Sequence, residues 1–357
     1  MEILDSLVVG AGQAGLSASY HLRRRGLSHV VLDADAAPGG AWQHRWDSLT
    51  MHDVHGVAAL PDSEPPGESG LRANQAVPAY FGAYEREHDL PVVRPVRVDR
   101  VTDEDGLLVT HAGERRWTSR TLVNATGTWR HPFVPHYPGM ETFAGEQLHA
   151  ADFPGAEHFR GRRTVVVGGG ASAVQLLGEI ALVTDTLWVT RREPVWRTDD
   201  FTPEVGRAVV ALVEERVRQG LPPASVVSVT GLALRPQERE AERRGAYDRH
   251  PMFAWVEPDG VRFPDGSLEP ADVILWATGF RPALTHLGAL GLRSPRGGIQ
   301  LDGTTAVADP RVQLVGYGPS ASTIGANRAG RTAARGVAQW LDRWLDQSLD
   351  RDRVASA

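Results

Sequence analysis

Two stretches of the chain, about 158 residues apart, repeat one pattern of apolar and polar positions. Each begins with a short apolar run, passes through a glycine-rich turn into a segment of helical periodicity, and ends in a second apolar run. The segments are Leu7–Val9, Leu16–Arg25 and Val30–Leu32 in the first stretch, and Val165–Val167, Val174–Leu182 and Leu187–Val189 in the second. This order predicts two βαβ units, and therefore an α/β fold with parallel sheets covered by helices on both faces.

Further apolar runs complete the predicted elements. Three short runs are expected to close the sheets, at Thr121–Gly127, Asp272–Gly279 and Val312–Gly316. Ala329 to Leu349 has the apolar spacing of an amphipathic helix, with Val337, Trp340, Leu341 and Trp344 on one side. The charge-dense segment Gln237 to Arg244 is expected to be a solvated helix.

The first glycine-rich turn has the spacing of a dinucleotide-binding fingerprint. Gly10 permits the tight turn, Gly12 lets the backbone approach a pyrophosphate, and Gly15 lets the helix pack against the strand. The residues expected to line the phosphates are Gly10, Gly12, Gln13, Ala14 and Gly15. Asp33 ends the next strand, 18 residues after Gly15, where its carboxylate can accept hydrogen bonds from ribose hydroxyls.

The second turn repeats the fingerprint with a different ending. The residues expected to line its phosphates are Gly168, Gly170, Ala171 and Ser172, with Ala173 in the third small position. Arg191 and Arg192 stand after the following strand, where an NAD site would carry an acid. Guanidinium groups bind a 2′-phosphate and a carboxylate would repel one, so this site is expected to prefer NADPH. The alternative is that both arginines are solvent-exposed and that NADH is accepted too.

Two dinucleotide sites in one chain imply electron transfer between two cofactors. The acid at the first site suits the adenosine ribose of FAD, and the arginines at the second suit NADPH. We expect an FAD-binding domain that begins in residues 1–150, an inserted NADP-binding domain at 155–275, and the remainder of the FAD-binding domain at 280–357. Both domains are predicted to be of the Rossmann-like, dinucleotide-binding type.

Composition then excludes several classes of chemistry. The 357 residues contain no cysteine, so no dithiol can accept electrons from a flavin, and no lysine, so no lysine Schiff base can form. The net charge of −6 gives no basic field for nucleic acid. No apolar run has the length of a membrane helix, and the acidic start is unlike a secretory signal, so a cytoplasmic protein is expected. The histidines His55, His131 and His149 lack metal-ligand spacing, and no metal is expected.

Several motifs together resemble the class B flavin-dependent monooxygenases, which include flavin-containing monooxygenases and Baeyer–Villiger enzymes. The segment from Phe143 to Pro154, with Gly145, His149 and Phe153, resembles the fingerprint of that family. Baeyer–Villiger members usually carry Trp at the position of Phe153, which favours the flavin-containing monooxygenase side. Three more segments resemble motifs of the family: Ala125, Thr126 and Gly127; Ala277, Thr278 and Gly279; and a turn containing Gly40 and Trp42. The corresponding turn of the family lies against the flavin, so the resemblance implies this placement here.

The resemblance implies a reaction and its partners. NADPH reduces FAD, reduced flavin and O2 form a C4a-(hydro)peroxyflavin, and one oxygen atom enters a small organic substrate by sulfoxidation, N-oxidation or Baeyer–Villiger oxidation. The short bacterial members need no membrane helix, and a homodimer is the usual assembly of the family. Two alternatives stay open: an NAD(P)H oxidase or electron-transfer reductase that oxygenates nothing, and a flavin-binding module without catalysis.

Two positions depart from the family pattern. His52 stands where flavin-containing monooxygenases typically carry Asn near the reactive carbon of the flavin. We hypothesise that His52 is a catalytic residue that donates a hydrogen bond or proton to the peroxide, the alternative being a histidine packed by Met51 and Val54. Pro319 stands where relatives often have an acid, and the backbone of Ser322 and Thr323 is expected to point N–H groups at the flavin.

Overall fold

The computed structural model describes residues 2–54, 57–196, 203–223, 232, 234, 236–321 and 323–355. The chain forms two compact units. Unit 1 comprises Met1–Thr128, Val210–Val226 and Pro282–Ala357, and unit 2 comprises Trp129–Val209 and Val227–Arg281. The first change of unit therefore falls at Thr128, whereas the sequence pattern placed it near residue 150.

The elements of the described residues are short strands and a few longer helices. The helices are α1 (Gln13–Arg23), α2 (Ala73–Glu87), α3 (Ala171–Ile180), α4 (Pro203–Arg218), α5 (Arg239–Arg243) and α6 (Thr323–Ala355). The strands are β1 (Ile3–Val9), β2 (His29–Leu32), β3 (Val92–Val93), β4 (Arg100–Glu104), β5 (Leu107–Ala112), β6 (Arg115–Asn124), β7 (Glu146–His149), β8 (Thr164–Val167), β9 (Thr186–Val189), β10 (Arg249–His250), β11 (Trp255–Glu257), β12 (Gly260–Arg262), β13 (Leu268–Pro270), β14 (Val273–Trp276), β15 (Leu301–Asp302), β16 (Thr305–Ala306) and β17 (Val312–Leu314).

Unit 1 is built on a sheet whose described strands run in the order β15-β16-β17-β6-β1-β2-β3. Strand β1 is central and pairs in parallel with β2 and β6, so that Val9 lies beside Leu32 on one side and Asn124 on the other. Strands β4, β5 and β6 form an antiparallel meander at the side of this sheet. Helices α1 and α6 pack against each other, and a Cβ on Gly330 would lie 2.4 Å from Ser17 Oγ.

Unit 2 repeats the arrangement on a smaller scale. Its parallel sheet has the order β10-β9-β8-β14-β7 in the described residues, and β11, β12 and β13 form a separate antiparallel sheet. Strand β8 is fully buried and lies between β9 and β14. Strand β7, at residues 146–149, is hydrogen-bonded to β14, which explains why the chain enters unit 2 well before residue 150.

The predicted βαβ units are confirmed, with their helices beginning three residues earlier than the apolar spacing indicates. Helix α1 begins at Gln13 and α3 at Ala171, because each helix starts directly after the second glycine of its fingerprint, which is Gly12 or Gly170. The terminal helix is confirmed too, and Val337 and Leu341 are buried on it. Helix α5, with the 3-10 turn before it, confirms the charge-dense helix.

Other elements leave no clear signal in the sequence. Helix α2 contains Pro78 in its interior, and Ala73, Val77 and Phe81 on one face are completely buried. The β4–β6 meander carries charged residues at its exposed ends, and only the carboxyl-terminal part of β6, within the predicted run Thr121–Gly127, was predicted. None of the helices in the described part of the chain has the length and apolarity needed to cross a lipid bilayer.

Candidate functional site

Each unit contains a glycine turn between its central strand and the helix that follows. In unit 1 the Gly10 N–H donates to Leu32 O (2.8 Å) and the Ala125 N–H donates to Val9 O (2.8 Å). In unit 2 the Gly168 N–H donates to Val189 O (3.0 Å) and the Ala277 N–H donates to Val167 O (2.8 Å). The two turns are therefore held by the same pair of hydrogen bonds, each at the carboxyl ends of three adjacent parallel strands.

The first glycine of each turn is required by its surroundings. Gly10 has φ of +102° and Gly168 has φ of +143°, which side-chain-bearing residues rarely adopt. A Cβ on Gly10 would lie 2.6 Å from Ala125 O, and one on Gly168 would lie 2.2 Å from Ala277 O. These glycines let each turn lie against the backbone that leaves the neighbouring strand, which is β6 in unit 1 and β14 in unit 2.

The second glycine of each turn faces open space instead. A Cβ on Gly12 would meet only Gly40 Cα at 3.9 Å, and one on Gly170 would meet nothing within 4 Å. Gly12 and Gly170 are also the N-cap residues of α1 and α3, and neither helix start has a side-chain cap or an acidic residue in its first turn. At each turn the uncapped N–H groups of the helix N-terminus therefore lie beside a space that a Cβ would begin to fill. We call this space with its glycine turn the cradle. Its open space and its uncapped N–H donors fit a pyrophosphate.

The remaining sequence-predicted residues of unit 1 lie around its cradle. Gly15 is buried against Gly10, since a Cβ there would lie 1.9 Å from Gly10 O, and Ala14 is buried on the same turn of helix. Gly40 packs its backbone against Gly12, because a Cβ on Gly40 would lie 2.8 Å from Gly12 Cα. Trp42 follows in a 3-10 turn and is half-buried.

Gln13 carries an unpartnered polar atom at this cradle. Its Nε2 donates to Ala58 O (2.8 Å), and its Oε1 is buried without a hydrogen-bond partner among the described residues. The residue itself is 8% exposed. Burying a hydrogen-bond acceptor without a donor costs folding free energy. The unpartnered Oε1 therefore indicates that a ligand group donates to it.

The candidate ribose acid, Asp33, follows β2 and is buried in a cluster of charges. Its Oδ1 accepts from the Asp35 N–H (3.3 Å) and its Oδ2 accepts from Arg94 Nη2 (3.3 Å). Arg94 also donates to both carboxylate oxygens of Glu85, at 2.6 and 2.7 Å. Burial raises the pKa of Asp33 above its usual value, while the Asp35 N–H and Arg94 oppose the rise. The carboxylate is thus short of donors, which ribose hydroxyls would supply.

Arg94 and Glu85 were not predicted as part of this site. They lie 61 and 52 residues from Asp33 in the chain, and no local motif marks them. The available signal for Arg94 is the strand order: β3 neighbours β2, so a residue that follows β3 comes to lie beside one that follows β2. Glu85 lies on α2, and the strand order does not indicate it.

The two threonines of the alanine–threonine–glycine motifs hold backbone within their own units. Thr126 Oγ1 donates to Ala283 O (2.7 Å), and Thr278 Oγ1 donates to Phe133 O. Gly127 lies close to Gly316, in unit 1. Gly279 accepts a hydrogen bond from the Phe133 N–H (2.9 Å), in unit 2.

His149 of the fingerprint segment is fastened to the same part of unit 2. Its Nδ1 accepts from the Ala151 N–H (3.0 Å), which leaves Nε2 to donate to Gly279 O (3.1 Å). Burial lowers the pKa of His149, in keeping with this neutral form. The fingerprint histidine therefore joins its own loop to the residues that leave β14.

Arg191 and Arg192 lie one residue beyond the end of β9, directly after Thr190, which lies beside the second glycine turn. Both are exposed, and neither guanidinium has an ion-pair partner among the described residues. Ala171 and Ser172 form the first turn of α3 and are half-buried. Unit 2 thus combines an open glycine cradle with two available cations.

The remaining predicted positions are placed as follows. His52 is exposed on a turn and its backbone N–H donates to Ser69 O (3.1 Å), whereas its neighbour Met51 is 2% exposed. Thr323 begins α6, and Ser322 and His55 lie outside the described residues. The described ranges contain no cluster of three or more His, Cys, Asp or Glu side chains arranged to hold a metal ion.

The geometry defines a class, an α/β protein with two dinucleotide-type cradles in one chain. Residues 7–233 match the family model described as pyridine nucleotide-disulphide oxidoreductase. A flavin-containing monooxygenase from Stenotrophomonas maltophilia has a solved structure that superposes with a TM-score of 0.83, at 38% identity over 96% of this chain and 100% of that one. The chain belongs to this oxidoreductase family, and within it to the flavin-containing monooxygenases.

More distant relatives agree with this placement. A Baeyer–Villiger monooxygenase from Streptomyces coelicolor is 28% identical over 347 residues, spanning 87% of this chain and 63% of that protein. The indole-3-pyruvate monooxygenase YUCCA4 of Oryza sativa is 26% identical over 329 residues, spanning 79% and 75%. The resemblance indicated by the sequence motifs is thus confirmed, as are the two-domain α/β fold and the conclusion that the protein is an oxidoreductase enzyme.

Proposed function

We propose that this protein is an NADPH-dependent flavin monooxygenase that binds FAD in unit 1 and NADPH in unit 2, and transfers one atom of O2 to a small organic substrate. The observation that carries the proposal is a contrast between two otherwise matching cradles. A buried carboxylate, Asp33, follows the first cradle, and two exposed guanidinium groups, Arg191 and Arg192, follow the second. Thr190 stands at the position that matches Asp33, and the two arginines follow it directly. Opposite charges just beyond two matching strands favour two different dinucleotides.

The residues of unit 1 fit FAD. The α1 N-terminus and Gly12 would hold the pyrophosphate, and Asp33 would accept the ribose hydroxyls. A 2′-phosphate would meet the Asp33–Arg94–Glu85 cluster, whose formal charge is −1 with both acids ionised, and would be repelled. When bound, FAD supplies the ability to accept a hydride and to pass electrons to O2.

The residues of unit 2 fit NADPH. The α3 N-terminus and Gly170 would hold its pyrophosphate, and Arg191 and Arg192 would bind the 2′-phosphate by charge-assisted hydrogen bonds. A flavin enzyme that reduces disulphides needs a dithiol beside its flavin, and this chain has no cysteine at all. Electrons have no protein thiol to reach, which supports O2 as their acceptor.

The experiment that tests the proposal follows both products of O2. The purified holoenzyme is mixed with NADPH and thioanisole, and sulfoxide and hydrogen peroxide are measured against NADPH consumed. A tertiary amine and a cyclic ketone replace the sulfide in parallel series. We expect oxygenated product in clear excess over peroxide with at least one substrate class. Peroxide alone across sulfides, amines and ketones would instead make the protein an NADPH oxidase.

We also propose that His52 acts on the reaction rather than on the fold. Its exposure and the buried neighbour Met51 leave the imidazole without a packing role of its own. An imidazole N–H can donate a hydrogen bond to reactive oxygen at the position where relatives carry an Asn amide.

A further inference from the structure

We propose that Arg249 is a positioning residue that fixes the turn bearing Arg191 and Arg192, and thereby determines the preference for a coenzyme with a 2′-phosphate. The inference rests on the proposed NADPH site in unit 2. Arg249 lies 57 residues from Arg192 in the chain and belongs to no motif of the family fingerprint. Strand pairing brings it beside the site.

The backbone places Arg249 next to the end of β9. Strand β10 pairs in parallel with β9, with Arg249 opposite Trp188 and His250 opposite Val189. The pairing continues one residue further, because the Thr190 N–H donates to His250 O (3.1 Å). The chain therefore leaves the sheet for the arginine pair at Thr190, with Arg249 alongside.

The Arg249 guanidinium donates two hydrogen bonds to Thr190. Nε donates to Thr190 Oγ1 (3.0 Å) and Nη2 donates to Thr190 O (3.1 Å). Because the hydroxyl is thereby used as an acceptor, its own proton is available, and it donates to Arg192 O (2.6 Å). Thr190 is 1% exposed, so these bonds are shielded from water. A continuous chain of hydrogen bonds thus runs from Arg249 to the backbone of Arg192.

The third nitrogen of the same guanidinium holds the far end of the turn. Nη1 pairs with Glu193 at 2.9 Å. Glu193 is the one carboxylate in residues 190–193, and next to the arginine pair it would repel a phosphate. Arg249 draws this side chain toward itself and gives it a countercharge.

The three arginines of this site differ in what their guanidinium groups contact. All three nitrogens of Arg249 have protein partners, and its side chain is 23% exposed. Arg191 and Arg192 are exposed, with no ion-pair partner among the residues described. One arginine builds the turn, and the other two remain available to a ligand. The 2′-phosphate is the group that would contact this turn, whereas the pyrophosphate would contact the glycine turn and the N-terminus of α3.

The test measures binding and not turnover. Dissociation constants of NADP⁺ and NAD⁺, which differ only by the 2′-phosphate, are measured by calorimetry on the purified holoenzyme. For Arg249→Met we expect the NADP⁺ constant to rise about tenfold, as for loss of one charge-assisted contact, and the NAD⁺ constant to stay within about twofold. Arg249→Lys should show the same selective loss, because an ammonium cannot make the three contacts.

Controls separate positioning from charge. Arg163→Met removes an arginine that pairs with Asp272 at the opposite end of the same sheet, and should leave both constants unchanged. Full NADP⁺ affinity in Arg249→Lys, or equal losses for both nucleotides in Arg249→Met, would overturn the inference. Should Arg249→Met not fold, Thr190→Val breaks the same hydrogen-bond chain and must give the selective loss.

A double variant keeps this inference distinct from the proposed function. Arg191→Gln with Arg192→Gln should weaken NADP⁺ selectively and by more than Arg249→Met does. If the double variant is not selective, the NADPH assignment of unit 2 fails. If the double variant is selective and Arg249→Met leaves NADP⁺ affinity unchanged, only the positioning role of Arg249 fails.

Discussion

Gly12 and Gly15 stand on one turn of unit 1, and the space around each predicts different consequences for the same substitution. A Cβ on Gly12 meets only Gly40 Cα at 3.9 Å, so Gly12→Ala should fold with a melting temperature within about 2 °C of the parent. The added methyl would stand where the pyrophosphate approaches. We expect the FAD dissociation constant of the apoprotein, measured by flavin fluorescence, to rise at least about tenfold.

Gly15→Ala should lower the stability of the protein and should not obstruct the pyrophosphate. Its Cβ would lie 1.9 Å from Gly10 O, and relieving that overlap should cost about 1–3 kcal/mol of unfolding free energy. Gly70→Ala is the control, because nothing lies within 4 Å of a Cβ there. Unaltered FAD affinity in Gly12→Ala would contradict the assignment of this turn to the pyrophosphate.

His52 gives a second prediction at the scale of single residues. His52→Ala should lower the oxygenated product formed per NADPH at least about threefold and raise hydrogen peroxide equally, because a donor to reactive oxygen is lost. His52→Asn restores a hydrogen-bond donor and should retain most of the yield. Thermal melting should be unchanged in both variants, since the side chain is exposed. An unchanged product yield in His52→Ala would remove the role.

Some residues of the candidate site could be predicted from the sequence and others could not. Gly10, Gly12 and Asp33 could be assigned because their tasks follow from local geometry: a positive φ, a bare backbone, an acid at the end of a strand. Arg94 and Arg249 could not, because each acts on a residue about 60 positions away. Their placement depends on which strands become neighbours, and a motif does not record that.

At the scale of elements, the packing of α1 against α6 predicts a dependence of stability on pH. His21 of α1 is buried, and burial together with the positive charge of Arg331, Arg25 and Arg24 lowers its pKa from 6.5 to about 4. Between these values the unfolded chain binds a proton that the folded protein does not. Stability therefore falls as the pH is lowered through 6.5 toward 4, by about 2 kcal/mol from pH 8 to pH 5.

The measurement is urea unfolding of the parent and of His21→Gln at pH 8 and pH 5. The variant cannot take up the proton in either state, so it should lose about 2 kcal/mol less than the parent on acidification. His136→Gln, at an exposed histidine, should behave as the parent does. An identical loss in parent and His21→Gln would show that this histidine is protonated equally in both states.

The secondary-structure elements differ in how clearly the sequence pattern predicts them. The buried strands β1 and β8 and the helices after them are evident, because apolar runs and glycine spacing coincide there. Helix α2 is not, because Pro78 interrupts the pattern and the helix is stabilised by the burial of Val77 and Phe81. The meander β4–β6 is likewise defined by its pairing with the sheet and not by its own composition.

At the scale of the whole molecule, the internal repeat predicted two domains of the dinucleotide-binding fold type, and the two units each contain the parallel sheet that this fold requires. The point at which the chain changes unit followed less directly. Residues 129–145 precede β7 and belong to unit 2, since Pro132 pairs with Phe280 and Trp129 stacks on Phe280 at 4.8 Å. These contacts span about 150 residues of chain, so local composition gives no sign of them.

The central claim is that one chain holds a flavin in one cradle and its hydride donor in the other. The most direct test is the visible spectrum of the purified protein, recorded without oxygen before and after addition of NADPH or NADH. We expect about one bound FAD per chain, and we expect NADPH to reduce and bleach it at a lower concentration than NADH does. A colourless protein that takes up no added FAD, or a bound flavin that NADPH leaves oxidised, would contradict this claim.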